Sequence, residues 1–264
     1  MAKAPFYVGI GGWTYEPWRD NFFPKGLAQA RELEYAASKV TAIEINGTYY
    51  GSQSPATFAK WAKAVPDGFI FTAKASRFCT NRKVLADSGE SIAKFVGQGI
   101  TELGDKLGPI LWQFMPTKKF DPDDFGAFLA LLPDRHDGLK LRHVIEVRHE
   151  SFETPEFVAL ARKYGVAIVF ADKEGYPTIA DLTADFVYAR LQDAKAEIAT
   201  GYDAKALDRW AKVVDHWRGG TSPEGLPYLA EKPKASPRET FVFMINGAKE
   251  RAPAAALALL ERLG

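Results

Sequence analysis

The stretch HVIEVRHESFETPEFVALARKYGVAIVFADKE (143–174) decides the fold. HVIEVR (143–148) and VAIVFA (166–171) are short runs rich in β-branched residues and read as strands. Between them PEFVALARKYG (155–165) carries apolar residues at helical spacing. Thr154-Pro155 suits the start of that helix, with proline in its first turn, and Gly165 suits its stop. A strand, a helix and a second strand make a crossover unit, which lays its two strands parallel.

The same alternation extends in both directions. Further strands are expected at FYVGI (6–10), TAIEIN (41–46), FIFTAKA (69–75), PILWQF (109–114), FVYARL (186–191) and TFVFMI (240–245). Helical spacing marks AQARELEYAASKV (28–40), GESIAKFVGQGITELGDKL (89–107), DDFGAFLALL (123–132), YDAKALDRWAKVVDHW (202–217) and PAAALALLERL (253–263). Ser54-Pro55 and Arg251-Ala252-Pro253 suit further helix starts. Eight strands alternating with about eight helices call for an α/β fold, a single-domain (β/α)8 TIM barrel over 1–264. An open doubly wound sheet is the alternative. The sixth unit is the weakest, because GYPTIADLTAD (175–185) offers only a turn or two of helix. Residues 219–239 are rich in Pro and Gly and read as a long loop entering the eighth strand.

The composition excludes several classes. With 34 Lys plus Arg against 33 Asp plus Glu, the net charge is +1, so nothing global drives nucleic-acid binding. Cys79 is the only cysteine, which rules out an intrachain disulfide and makes a cytoplasmic setting the default. No leader peptide is recognisable at the N-terminus, and no run of ~18 apolar residues would span a membrane. A soluble, cytoplasmic monomer is expected.

Active sites of such barrels lie at the carboxyl ends of the strands, and side chains alternate between barrel interior and helix layer. Placing the apolar parity outward leaves Glu44 and Asn46 inward on the second strand, and Thr72 and Lys74 on the third. The fourth leaves Leu111 and Gln113; the fifth leaves Val144, Glu146 and Arg148. The seventh leaves Tyr188 and Arg190, and the eighth Met244 and Asn246; the sixth ends at Asp172. Gly9 and Gly11 leave space on the first strand beside Trp13. The polar residues thus collect at one end, where three cations meet three carboxylates. A neutral network that merely plugs the barrel is the bland alternative, weighed against the cost of burying so many charges.

The motifs also resemble a family. IGGWTYEPWRDNFFP (10–24), AIEINGTYYGSQS (42–54), FTAKASRF (71–78), LWQFMP (111–116), IEVRHESF (145–152), FADKE (170–174) and YARL (188–191) occur in the order found in the YecE-like family, also called domain of unknown function 72. The resemblance covers nearly the whole chain and implies a TIM barrel with a polar site, but no activity. It places that site on Glu44, Asn46, Lys74, Gln113, Glu146, Arg148, His149, Asp172 and Arg190. The chain departs from the family where Thr80-Asn81 replaces Thr-His and Arg190-Leu191-Gln192-Asp193 replaces Arg-Leu-His-Gly. Those departures remove histidines, so histidine acid/base chemistry and histidine-bound metal are not expected.

The residues read as an enzyme acting on an anionic substrate, such as a phosphorylated sugar or a phosphodiester. Glu44, Glu146 and Asp172 are the candidate catalytic groups. Trp13, Asn46, Tyr49, Lys74, Gln113, Arg148, Arg190 and Asn246 are the candidate substrate-binding groups. No cofactor motif is present; a carboxylate-held Mg or Mn ion is conceivable, but the interleaved cations disfavour it. Alternatives are a non-catalytic ligand-binding or regulatory barrel and a glycoside hydrolase-like enzyme stacking a neutral sugar on Trp13, Tyr49 and Tyr50. Cys79 is read as a buried inert thiol, Trp18 as packing, and His149 as a supporting residue.

Overall fold

The computed structural model describes residues 2–264. Its barrel strands are β1 (Phe6–Gly11), β2 (Ala42–Ile45), β3 (Ile70–Lys74), β4 (Leu107–Gln113), β5 (His143–Glu146), β6 (Ala167–Asp172), β7 (Phe186–Leu191) and β8 (Glu239–Met244). All pair in parallel, and β8 pairs back onto β1, so the sheet is closed. At the seam Gly9 lies opposite both Phe243 and Ala42. A Cβ there would sit 2.1 Å from the Ala42 carbonyl oxygen, so only glycine lets β1 and β2 approach this closely. A short antiparallel hairpin, Arg135–His136 with Leu139–Lys140, precedes β5 and was not expected from the sequence.

The helices are α1 (Glu32–Ala37), α2 (Pro55–Lys63), α3 (Gly89–Val96), α4 (Pro122–Ala130), α5 (Pro155–Lys163), α6 (Ala204–Gly219) and α7 (Ala252–Leu263), with one helical turn at Arg77–Thr80. The Ser54 and Thr154 side chains cap α2 and α5 by accepting from the Thr57 and Phe157 amides. The pattern at 89–107 is broken rather than one helix. Gly99, at φ +103°, separates α3 from a 3-10 turn at Ile100–Lys106.

The sixth crossover departs furthest from expectation, because residues 173–185 contain no helix at all. The loop after α6 fills the vacancy. The buried Asp181 carboxylate accepts from the Leu229 and Ala230 amides, and Pro227 accepts from the Ala180 amide. Leu226 is buried against the core beside Tyr228 and Leu229. The Pro/Gly-rich loop therefore packs on the helix-free segment 173–185, while Trp210 and Trp217 of α6 cover Phe170 on the outer face of β6.

Two apolar layers result. Between strands and helices lie Ile43, Ile45, Phe71, Ile110, Trp112, Ile145 and their neighbours, as parity predicts. Inside the barrel, small and aliphatic residues on β2–β6 (Ala42, Leu111, Val144, Ala167, Ala171) face large aromatics on β7 and β8 (Phe186, Tyr188, Phe241, Phe243). The Tyr188 ring stacks near Phe241 and Phe243, and this aromatic mass forms the floor beneath the polar end.

Candidate active site

At the carboxyl end, β2, β3, β4, β5 and β7 each deliver a polar side chain above that floor. Arg190 is its centre and is almost wholly buried. Its Nε and Nη2 donate to the two Glu44 oxygens at 3.1 and 3.0 Å, a bidentate clamp, and Nη1 donates to Glu146 Oε2. Arg148 donates to Glu146 Oε1 through Nε and Nη2, at 3.0 and 2.9 Å, and Gln113 Nε2 donates to Oε2 at 2.9 Å. Tyr188 donates its hydroxyl to Glu44 Oε2 at 2.8 Å, with the Thr72 hydroxyl 2.9 Å away. The network ties the barrel floor to the site and satisfies both carboxylates.

Its electrostatics follow from that wiring. Burial favours the neutral form of Glu146, but the Arg190 and Arg148 guanidiniums outweigh it and hold the carboxyl at about 2. Burial also disfavours the charged form of Arg190, and the two carboxylates more than restore it. Lys74 is different. Among the described residues no carboxylate lies within ion-pair distance of its amine, which sits 4.2 Å from the Tyr49 ring centroid. Burial, reinforced by the Arg190 charge, lowers it to about 8.

Above the network is a cavity of about 200 Å³ lined by Lys74, Gln113, Arg148, Arg190, Asn46 and Asn246, among others. Lys249 also lines it, a residue the sequence reading missed. The Trp18 indole N–H donates to the Lys249 carbonyl at 2.9 Å, and the Lys249 amine stands 4.3 Å from the Tyr15 ring centroid. The first βα loop thus pins the loop after β8. Trp18 is fully buried and lines the cavity as well, so it both packs and positions. The only sequence signal for Lys249 was its place just past the eighth strand, and a lysine there reads equally as surface.

Asn46, Lys74, Gln113, Glu146, Arg148, Arg190 and Glu44 come together as expected. Tyr49 stands behind Lys74, and the exposed Tyr50 lines the mouth. Trp13 does not line the charged cavity. It lines an adjoining one of about 440 Å³ with Tyr15, Trp61 and Gln53, and the two cavities share Gly11, Asn46 and Lys249.

Two expectations are corrected. Ala171, not Asp172, is the residue opposite Arg190, so Asp172 falls on the outward parity. Its carboxylate faces Tyr202, 3.5 Å away, where burial and the nearby Asp193 raise its pKa. On β8 the parity is reversed: Phe241 and Phe243 point inward, while Met244 belongs to the outer layer. Asn246 reaches the cavity instead through a left-handed backbone turn, φ +59°, and donates to Gln192 Oε1 at 3.1 Å. The charge balance changes with these corrections: Asp172 leaves and Lys249 joins, so cations outnumber carboxylates by four to two.

Two other residues behave as their sequence context suggested. Cys79 is buried, and burial pushes its thiol up to about 12. The His149 ring accepts from the Ser151 amide at the start of the next turn. Among the described residues no group of three His, Cys, Asp or Glu side chains is arranged to hold a metal ion, and no helix is long and apolar enough to cross a membrane.

The family model described as "Protein of unknown function DUF72" matches residues 7–264. The chain belongs to that family. Among curated proteins, the UPF0759 protein YunF of Bacillus subtilis is 25% identical over 175 residues; the match spans 64% of this chain but only 58% of YunF. A DUF72 crystal structure from Thermotoga maritima superposes with a TM-score of 0.74 at 23% identity, covering 98% of this chain and 99% of that one. Another, from Enterococcus faecalis, gives 0.72 at 18% identity, covering 98% and 95%. These likenesses carry the fold.

Proposed function

We propose that this DUF72 barrel is an enzyme for a small anionic substrate, with a phosphorylated sugar as the best-fitting class. One observation carries the reading: Glu44 and Glu146 are consumed by Arg190 and Arg148, while Lys74 and Lys249 line the cavity with no carboxylate partner among the described residues. A cavity with that balance favours an anion, and Arg148 and Lys249 stand at its wall to take one. The aromatic cavity beside Lys249 supplies Trp13 and Tyr15 faces for a sugar ring attached to that anion.

The same wiring reassigns the acid/base work. Glu146, held at about 2, stays ionised and is a weak base, so its part is to hold Arg190 and Arg148 in place. Lys74, lowered to about 8, is the lining group that exchanges a proton near neutral pH. The glycoside reading needs a carboxylic acid with a raised pKa, and Glu146 is shifted the other way.

The test is a melting series with phosphate, sulfate and sugar phosphates against neutral sugars. An anion at ~100 times its dissociation constant stabilises the fold by about 2.7 kcal/mol, and Lys249→Ala removes most of that shift. Shifts with neutral sugars and none with anions would refute the reading. Binding of sugar phosphates without turnover, at any pH, would leave a binding barrel in place of an enzyme.

A further inference from the structure

Lys74 has the surroundings of a nucleophile rather than of a structural cation. It ends β3, its side chain is about nine-tenths buried, and it lines the cavity above the network. Every neighbouring carboxylate is committed elsewhere: Glu44 to Arg190 and Tyr188, Glu146 to Arg190, Arg148 and Gln113. The Tyr49 ring backs the amine on one side, which fixes the direction from which a reacting carbon approaches. Arg148 and Lys249, lining the same cavity, are placed to hold a charged group of the same ligand.

We propose that Lys74 forms an imine with the aldehyde or ketone carbon of a small phosphorylated ligand whose phosphate rests on Arg148 and Lys249. This rests on the anionic-substrate reading above and goes beyond it by naming the reacting group. The neutral amine attacks the carbonyl carbon, forming the C–N bond while the C=O π pair moves to oxygen. One proton passes from nitrogen to that oxygen, carried by water, to give the carbinolamine. The hydroxyl then leaves with the second nitrogen proton as water, and the C=N bond forms, with no oxidant or reductant needed. With the amine lowered to about 8, roughly a tenth is neutral at pH 7, against about one part in a few thousand for an ordinary lysine. The Arg190 and Arg148 charges disfavour the protonated form of the amine.

The experiment is reductive trapping of the full chain with glycolaldehyde phosphate and sodium borohydride, followed by peptide mass mapping. The expected result is a stable adduct on the Lys74 peptide, forming at least about tenfold faster than with unphosphorylated glycolaldehyde because the phosphate is held. Inorganic phosphate suppresses it, and Lys74→Arg abolishes it. Because Lys74→Arg changes a buried site, its folding is checked by its melting temperature, and the wild-type competition stands independently of that variant. Adducts spread over surface lysines, with Lys74 no faster than the rest, would overturn the imine. If phosphate still raises the melting temperature in that case, the anion site survives and only the imine fails; if phosphate does nothing, both fail.

Discussion

At the scale of single residues, the site is a contest between burial and pairing. Glu146 and Lys74 are both buried, yet they shift by different causes: the carboxyl is held down by two guanidiniums, and the unpaired amine is lowered by desolvation. Replacing Glu146 with Gln removes a charge from between Arg190 and Arg148, leaving a buried guanidinium short of a partner. That substitution is expected to cost about 3–5 kcal/mol in a denaturant melt. It is therefore a poor probe of catalysis. Because the folded-state pKa of Glu146 lies below its unfolded value, its contribution is fully present above about 4.5 and is lost as pH falls toward about 2. Lys74 follows the same sign in a higher window, because its folded-state pKa is lowered as well. Unfolding takes up a proton between about 8 and 10.5, so stability attributable to Lys74 rises with pH across that window. Lys74→Met should accordingly stabilise the empty protein by roughly 1–3 kcal/mol while weakening the anion-dependent melting shift. A loss of stability in Lys74→Met, measured without anions, would contradict an unpaired buried amine.

At the scale of elements, the sixth crossover makes the sharpest prediction. Asp181 is the point at which the loop after α6 takes the place of a helix, accepting from two loop amides and lying 3.7 Å from Arg162. Asp181→Ala leaves those amides without acceptors, at about 1–3 kcal/mol, and limited proteolysis should then cut within 221–238 first. Cutting elsewhere, with 221–238 intact, would show that the loop is not held this way. Gly9→Ala should be more damaging still, because the added methyl meets backbone at the barrel seam; circular dichroism of a soluble, fully stable Gly9→Ala would contradict the close approach. All eight strands were legible in the sequence because each is a short β-branched or aromatic run between turn residues. Inward parity was legible on β2–β5 and β7, where polar and apolar residues alternate cleanly. It failed on β8 because Phe241, Val242, Phe243, Met244 and Ile245 are apolar on both faces, leaving no alternation to read. It failed for Asp172 because the end of a strand fixes no parity without its partner's register. The weakness of the helix at 173–185 was legible, but not what packs there instead, because the loop that does so lies nearly fifty residues further on.

At the scale of the whole molecule, an overall charge of +1 conceals a strongly polarised interior. The barrel seals its lower part with aromatic rings and concentrates buried charge at one end, where a rigid network holds the groups that line the cavity. Most of that network was readable from strand ends, whereas Lys249 was not, since its placement depends on a Trp18 hydrogen bond spanning 231 positions of sequence. A larger groove of about 920 Å³ runs along α6 and residues 221–224, but it lies on the outer helix layer and contains none of the buried network. The central claim is therefore that the small charged cavity, and not this groove, is where an anion binds. The most direct measurement is an anomalous difference map from crystals soaked in selenate, which has the shape and charge of sulfate and a strong anomalous signal. Anion binding at the strand ends predicts a peak within hydrogen-bonding reach of Arg148 and Lys249 that disappears in Lys249→Ala. A cavity without density, alongside selenate bound only along α6, would contradict it.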